Sequence, residues 1–243
     1  MSGTILVYGG NGGVGRSCAQ ALAARGYRPY LVARDEARLA EAARALDTGY
    51  SVADVTDPEA IARATRDAAG TDGLAGLVYA VGSINLKPLA KLTAQDVEAD
   101  FRLNALGAAL AVQAALAPFR QAGGASVVLF STVAARQGFA AHASVAMAKG
   151  AVQGLTLALA AELAPKVRVN CIAPSLMDTP LASPLTGNQA MASAIAGMHA
   201  IPRIGEAKDA GALAAFLISE EASWITGQTI GVDGGRSTLR TKG

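Results

Sequence analysis

An α/β fold, with a doubly wound parallel sheet of about seven strands in one domain spanning residues 1–243, is what this sequence predicts. Three observations carry it. Apolar runs of strand character alternate with alanine-rich helical stretches along the chain. A glycine-rich turn separates the first such run from the first helical stretch. The composition, 51% hydrophobic and 16% charged, supplies one large core.

The same composition excludes several function classes. A net charge of +2 with scattered Lys, Arg, Asp and Glu forms no basic stripe, and 5% aromatics leave few stacking platforms, so nucleic acid is not an expected partner. Small molecules are. Cys18 and Cys171 have neither disulfide nor metal spacing and read as buried free thiols, and no metal site is expected. Glycines interrupt the N-terminus before any signal-like apolar core. Residues 105–119, which read as the most apolar stretch, are broken by Gln113 and Pro118 and fall short of a membrane span. A cytoplasmic protein without membrane partners is expected.

Residues 4–15 organise the chain. Ile5, Leu6 and Val7 form the first strand, glycines follow at 9, 10, 12, 13 and 15, and a helical pattern begins at about Arg16. Glycine permits positive φ and carries no Cβ, so amide N–H groups can approach a pyrophosphate where the helix dipole favours negative charge. After Gly26 as helix stop, a second strand over 27–33 completes a βαβ unit, the setting in which such a turn binds a dinucleotide. Strand two ends at Arg34. An acidic residue there would bond a ribose 2′-hydroxyl, whereas an arginine pairs with a 2′-phosphate, so Arg34 favours NADP(H) over NAD(H). Adjacent Asp35 keeps NAD(H) as the alternative. Arg38 either assists Arg34 or pairs with Asp35 or Glu41.

The remaining elements follow in order. A helix over 36–46 leads to a strand near 50–53, and Asp57 is good N-cap chemistry for a helix starting at Pro58. Residues 74–81 read as a strand. Thr93 and Asp96 resemble a capping box opening a long helix over about 93–120, with Asn104 in its interior, where asparagine is a poor helix former. A strand over 126–131 precedes Thr132, and the next helix carries His142, Ser144, Val145 and Lys149. A strand over 166–172, a helix over 206–219 and an ending within 223–235 complete the pattern. Residues at about 180–203, rich in small side chains, read as a mobile segment covering substrate, with Met191, Met198 and His199 as pocket linings.

The spacing Gly9-x3-Gly13-x-Gly15, Asn104-x-x-Gly107, Pro174 with Thr179, and the ending 223–235 resemble the short-chain dehydrogenase/reductase family along nearly the whole chain. The resemblance implies a Rossmann-type fold, an NAD(P)-dependent oxidoreductase and a homo-oligomer, dimer or tetramer. It implies that Gly9, Asn11, Gly13 and Val14 hold the cofactor at the turn, that Asp54 accepts from the adenine amino group, and that Val55 covers the ring. Asp54 could alternatively act as a helix cap. Ala80 and Gly82 would approach with their backbone, Lys149 would hold the nicotinamide ribose, and Pro174 and Thr179 would lie by the carboxamide, unless Thr179 merely caps a short helix. Tyr8 stands where the family often has Thr, and Tyr79-Ala80-Val81 replaces its Asn-Asn-Ala, with Tyr79 in the core or beside the nicotinamide. Ser175 replaces its usual glycine, narrowing or polarising the substrate side.

In that family a Ser lies thirteen residues before a Tyr, which lies four before a Lys. Counting back from Lys149 gives Val145 and Thr132. The resemblance implies that the acid and base of the reaction is missing while Thr132, Asn104 and Lys149 keep plausible chemistry. His142 lies three residues before Val145 and seven before Lys149, so all three share a helix face. It is the candidate general acid, the place a working tyrosine holds in the family's enoyl-thioester reductase branch. A helix-start or interface role for His142 stays open, and Ser144 is either a weaker acid or a cap. The expected function is NADP(H)-dependent reduction of a carbonyl on a small molecule. The alternatives are an enoyl (C=C) reductase and a cofactor-binding pseudoenzyme acting as sensor or subunit partner.

Overall fold

A computed structural model describes residues 3–240, so the first two and last three residues of the expected domain lie outside the description. Nine strands and nine helices follow one another as β1 (Thr4–Tyr8), α1 (Gly13–Ala24), β2 (Arg28–Ala33), α2 (Glu36–Ala45), β3 (Tyr50–Val52), α3 (Pro58–Ala69), β4 (Gly76–Tyr79), α4 (Ala94–Phe101), α5 (Gly107–Gln121), β5 (Ala125–Phe130), α6 (Ala143–Leu163), β6 (Val167–Pro174), β7 (Met177–Asp178), α7 (Ser183–Thr186), α8 (Gln189–Ala196), β8 (Gly205–Glu206), α9 (Ala207–Ile218) and β9 (Thr229–Val232). Seven strands form one parallel sheet in the order β3-β2-β1-β4-β5-β6-β9, and β7 pairs with β8 in a separate short ladder. The order reverses between β1 and β4, so a crevice opens at their carboxyl ends.

The central strand explains the two layers. Ile5, Leu6, Val7 and Tyr8 are all fully buried, as a strand covered on both faces requires. Because side chains alternate, Ile5 and Val7 pack with Cys18, Leu22, Leu39 and Ala214. Leu6 and Tyr8 join Ile61, Ala64, Phe119 and Val152 on the other face. Cys18 and Cys171 are buried free thiols.

The turn after β1 forms because Gly9 adopts φ +80, and because Gly15 has no Cβ: one placed there would stand 2.1 Å from the Gly9 carbonyl oxygen. The helix starts at Gly13, earlier than Arg16, since the Arg16 amide already donates to Gly12 at 2.9 Å.

The helix expected over 93–120 runs without interruption from Ala94 to Gln121, but it is not α-helical throughout. The capping box of Thr93 and Asp96 opens α4, but a π-helical turn at Arg102–Leu106 separates it from α5. Tyr79, replacing an asparagine of the family pattern, is a core residue 2% exposed. Its hydroxyl donates to the Leu103 carbonyl at 2.7 Å, satisfying a backbone acceptor within the wider turn. Asn104 is thereby held inside the fold.

Among the described residues one helix, Ala143–Leu163, is long and apolar enough to cross a membrane by length and composition. It replaces 105–119 as the most span-like segment. Here it packs against β5, β6 and α4.

Asp100 ties these parts together. Its buried carboxylate accepts from Ser83 Oγ at 2.6 Å and Asn85 Nδ2 at 3.3 Å after β4, and from Ser144 Oγ at the start of α6. Removing such a charged acceptor strands one buried donor, Ser144, and two partly buried ones. Asp100→Ala is expected to lower unfolding free energy by roughly 2–4 kcal/mol in urea melts. Exposed Lys208→Ala, which breaks only a surface pair with Glu206, should leave the melt unchanged.

Candidate active site

A cavity of about 380 Å³ lies at the carboxyl end of the sheet. Val14 at the α1 start, Ala80 and Gly82 after β4, Thr132 after β5, Pro174 after β6, and Thr179 all face it. Val145 and Lys149 line it from one face of α6, and His142 lines it from the N-cap position just before that helix. Leu181, Leu185, Ile195 and Met198 close it from the expected covering segment, which is helical in part as α7 and α8.

Lys149 is the most constrained group. Its side chain is buried and Nζ donates to the Phe130 carbonyl at 2.9 Å. Burial pushes the ammonium down to about 8, opposed by the more distant Cys171 and Asp100. A Cβ on Gly82 would stand 3.1 Å from Lys149 Nζ and 3.2 Å from Asn104 Oδ1, so both polar atoms converge where the glycine leaves room. Asn104 Nδ2 donates to the Asp100 carbonyl at 2.8 Å and to Ser83 Oγ at 3.0 Å, while its Oδ1 is buried without a partner. That acceptor stands ready beside the lysine.

Thr132 Oγ1 makes only long contacts, to the Pro174 carbonyl at 3.4 Å and from the Ala134 amide at 3.3 Å, so its hydroxyl can turn toward a ligand oxygen. Neighbouring Ser131 cannot. It donates to the Lys149 carbonyl and accepts from Gln153, both at 2.9 Å.

His142 occupies the N-cap position of α6 without a side-chain cap bond. Its Nδ1 lies 2.7 Å from the Ala140 carbonyl, which can only accept, so Nδ1 donates there and leaves Nε2 to meet a ligand. Ser144 is neither cap nor acid: it is 1% exposed, bonds Asp100 and does not line the cavity. The capping reading fails because the helix starts one residue earlier.

The residues expected around the cofactor divide. Val14, Ala80, Gly82, Lys149, Pro174 and Thr179 line the cavity, whereas Gly9, Asn11, Gly13, Arg34, Asp54 and Val55 lie outside its lining. A Cβ on Gly13 would meet Thr179 Cγ2 at 2.8 Å, so the threonine packs against the turn. Thr179 holds the N-cap position of a short 3-10 turn but its hydroxyl makes no cap bond. Asn11 reaches the Asp35 carbonyl at 3.5 Å.

At the far side of the crevice, exposed Arg34 stands 3.7 Å from Asp54. Hydrogen bonds from the Thr56 amide and hydroxyl, with Arg34 beside it, hold the Asp54 carboxyl below its ordinary range. Val55 is buried within the core. Asp57 caps α3 as expected, accepting from the Glu59 amide at 2.9 Å. Arg38 pairs with neither suggested acid, for Asp35 caps its backbone amide and Glu41 pairs with Arg16.

Ser175 faces the cavity and lies 2.8 Å from Nε2 of buried His199, which lines a second, adjoining cavity. Of the methionines named for the covering segment, Met198 lines the site and Met191 does not. Sequence reasoning missed Asp100, which reads as a solvated helix residue, and Phe139 and Arg236, which no motif marks. Among the described residues no cluster of His, Cys, Asp and Glu could hold a metal.

The family described as enoyl-(acyl carrier protein) reductase matches residues 9–237. A tropinone reductase homolog of Arabidopsis thaliana is 34% identical over 242 residues, covering 96% of this chain and 90% of its own length. A short-chain reductase of Streptomyces niveus is 35% identical over 244 residues, covering 95% and 92%. The solved structure of a short-chain type dehydrogenase/reductase from Mycobacterium ulcerans superposes with TM-score 0.93 at 32% identity, covering 99% of this chain and 92% of that one. A gluconate 5-dehydrogenase from Burkholderia cenocepacia, solved with NADP and tartrate, gives TM-score 0.92 at 25% identity over 99% and 97%. Likeness of this extent, in sequence and in the sheet that presents the cavity, means that the chain belongs to the short-chain dehydrogenase/reductase family of oxidoreductases.

Proposed function

We propose that the protein is an NADP(H)-dependent reductase of a carbonyl on a small molecule, with His142 as proton donor in place of the family's tyrosine. The observation that carries this reading is the meeting of Thr132, His142, Val145 and Lys149 in one cavity. The cofactor fits the residues present. The turn leaves no space for side chains at Gly15, and Asn104 Oδ1 and Lys149 Nζ offer an acceptor and a donor together beside Gly82.

When bound, the nicotinamide supplies the hydride that adds to the carbonyl carbon. Gly9, Asn11, Gly13 and Val14 would support the cofactor at the turn, Ala80, Gly82, Pro174 and Thr179 at the nicotinamide end, and Asp54 and Val55 at the adenine end. Lys149, fixed on the Phe130 carbonyl, would hold and orient the ribose hydroxyls. Thr132 donates to the substrate oxygen and stabilises its developing negative charge. His142, anchored through Nδ1, delivers the Nε2 proton of its imidazolium form to that oxygen. Residues 180–203 exclude water from the closed site.

A second reading, reduction of a conjugated C=C, is favoured by the description of the matching family and by the apolar side chain at Val145. Loss of an enone absorbance without alcohol formation would select it. We also propose a homodimer or homotetramer in the cytoplasm. The oligomer alone is supported by the outer face of α6, where Met147 and Leu157 are more than half exposed.

Calorimetric titration is expected to show NADPH binding at least about tenfold tighter than NADH, with Arg34→Gln erasing the difference through loss of NADPH affinity. Equal affinities in the unaltered protein would remove Arg34 as the phosphate reader. On a panel of aryl ketones, His142→Ala should lower kcat by about 100-fold while NADPH affinity stays unchanged. Unaltered turnover would contradict the role given to the imidazole.

A further inference from the structure

The lining of the cavity is chemically lopsided. Among the described residues its titratable side chains are Lys149, His142 and Arg236, with no aspartate or glutamate in the lining. The walls are otherwise dominated by Leu, Ile, Val, Met and Phe. Lys149 is committed to the Phe130 carbonyl and, in the reading above, to the cofactor. Arg236 belongs to a different wall.

Its guanidinium carbon lies 4.8 Å from the centroid of Phe139, and the same ring has His142 at 5.3 Å between centroids. Its one hydrogen bond in the structure is to the Met198 sulfur at 3.4 Å, a weak acceptor for a fork of five N–H donors. Among the described residues no carboxylate lies within ion-pair distance of Arg236. The nearest acid, Asp233, spends its oxygens on the Gly235 and Ser237 amides and the Ser237 hydroxyl. Burial lowers the guanidinium from its ordinary value, with Asp233 acting in the opposite direction, yet an arginine keeps its charge. Among the described residues, then, this partly buried cation at the wall of an apolar cavity has no anion in contact.

We infer that the substrate is an apolar carbonyl compound bearing a carboxylate remote from the reacting carbon, and that Arg236, stacked on Phe139, binds this carboxylate. The inference rests on the reductase reading of the same cavity. A carboxylate matches the guanidinium edge with two parallel hydrogen bonds, and the apolar walls take the body of the molecule. Arg236 is a specificity residue. It reads the end of the substrate that does not react, so its loss should affect binding of the acid and spare neutral analogues.

The test compares 4-oxo-4-phenylbutanoate with its methyl ester by calorimetric binding to the NADPH-saturated protein. The acid is expected to bind at least about tenfold tighter than the ester. Arg236→Gln should bring the acid down to the ester's affinity while NADPH affinity and ester binding stay unchanged, and Arg236→Lys should retain part of the preference. Equal binding of acid and ester, or no binding of either, overturns the inference, as does a preference that survives Arg236→Gln. Arg236-dependent binding of the acid to a protein that takes up no NADPH would sustain the inference and overturn the reductase reading.

Discussion

The structure depends on burying the ammonium of Lys149 at the floor of an apolar cavity without a carboxylate in contact. The Phe130 carbonyl is its one hydrogen-bond partner in the structure, and β5 must end where that oxygen faces α6. At neutral pH the charge is present, and its burial is a cost to stability that fades as pH rises from about 8 toward the ordinary 10.5. A fold retains such a group when a ligand supplies the missing acceptors. Much of the surrounding architecture works to the same end: the π-helical turn that aims Asn104 inward, the Tyr79 hydroxyl that anchors that turn, and the Asp100 carboxylate that fixes both neighbouring segments to the start of α6.

Several elements were legible in the sequence because local chemistry and global packing agree there. Glycines at 9 and 15 mark a turn that no side chain could enter, and the uniformly apolar run after Thr4 marks a strand buried on both faces. The Thr93 capping box and the Asp57 cap are short-range signals, and both form as read. The change to a π turn after Phe101 was not legible, because the Tyr79 hydroxyl that bonds the turn's Leu103 carbonyl comes from a distant strand. Likewise α6 carries a more membrane-like composition than the stretch singled out, since one face meets the sheet and the outer face is also apolar.

The site was legible where spacing alone brings residues together. His142, Val145 and Lys149 are neighbours because a helix makes them so, and Thr132 joins them because a strand ends beside that helix. Asp100 and Arg236 were invisible for the opposite reason. Each is an ordinary charged residue in its own segment, and only packing between segments far apart in the chain buries the first and turns the second to the cavity. Ser144 looked like a cap because it stands at a helix start. The cap position lies two residues earlier, at His142, and a buried acid from α4 gives Ser144 a different partner.

The proposed proton donor stands at position 142, at the N-cap of α6, and position 145 holds valine. The rate of NADPH-dependent ketone reduction in His142→Ala, with and without Val145→Tyr, decides between the two positions. The tyrosine, placed four residues before Lys149, is expected to restore at least about tenfold of the activity removed with the imidazole. A double variant as slow as His142→Ala alone, or a tyrosine that raises the rate equally when His142 is intact, would contradict it.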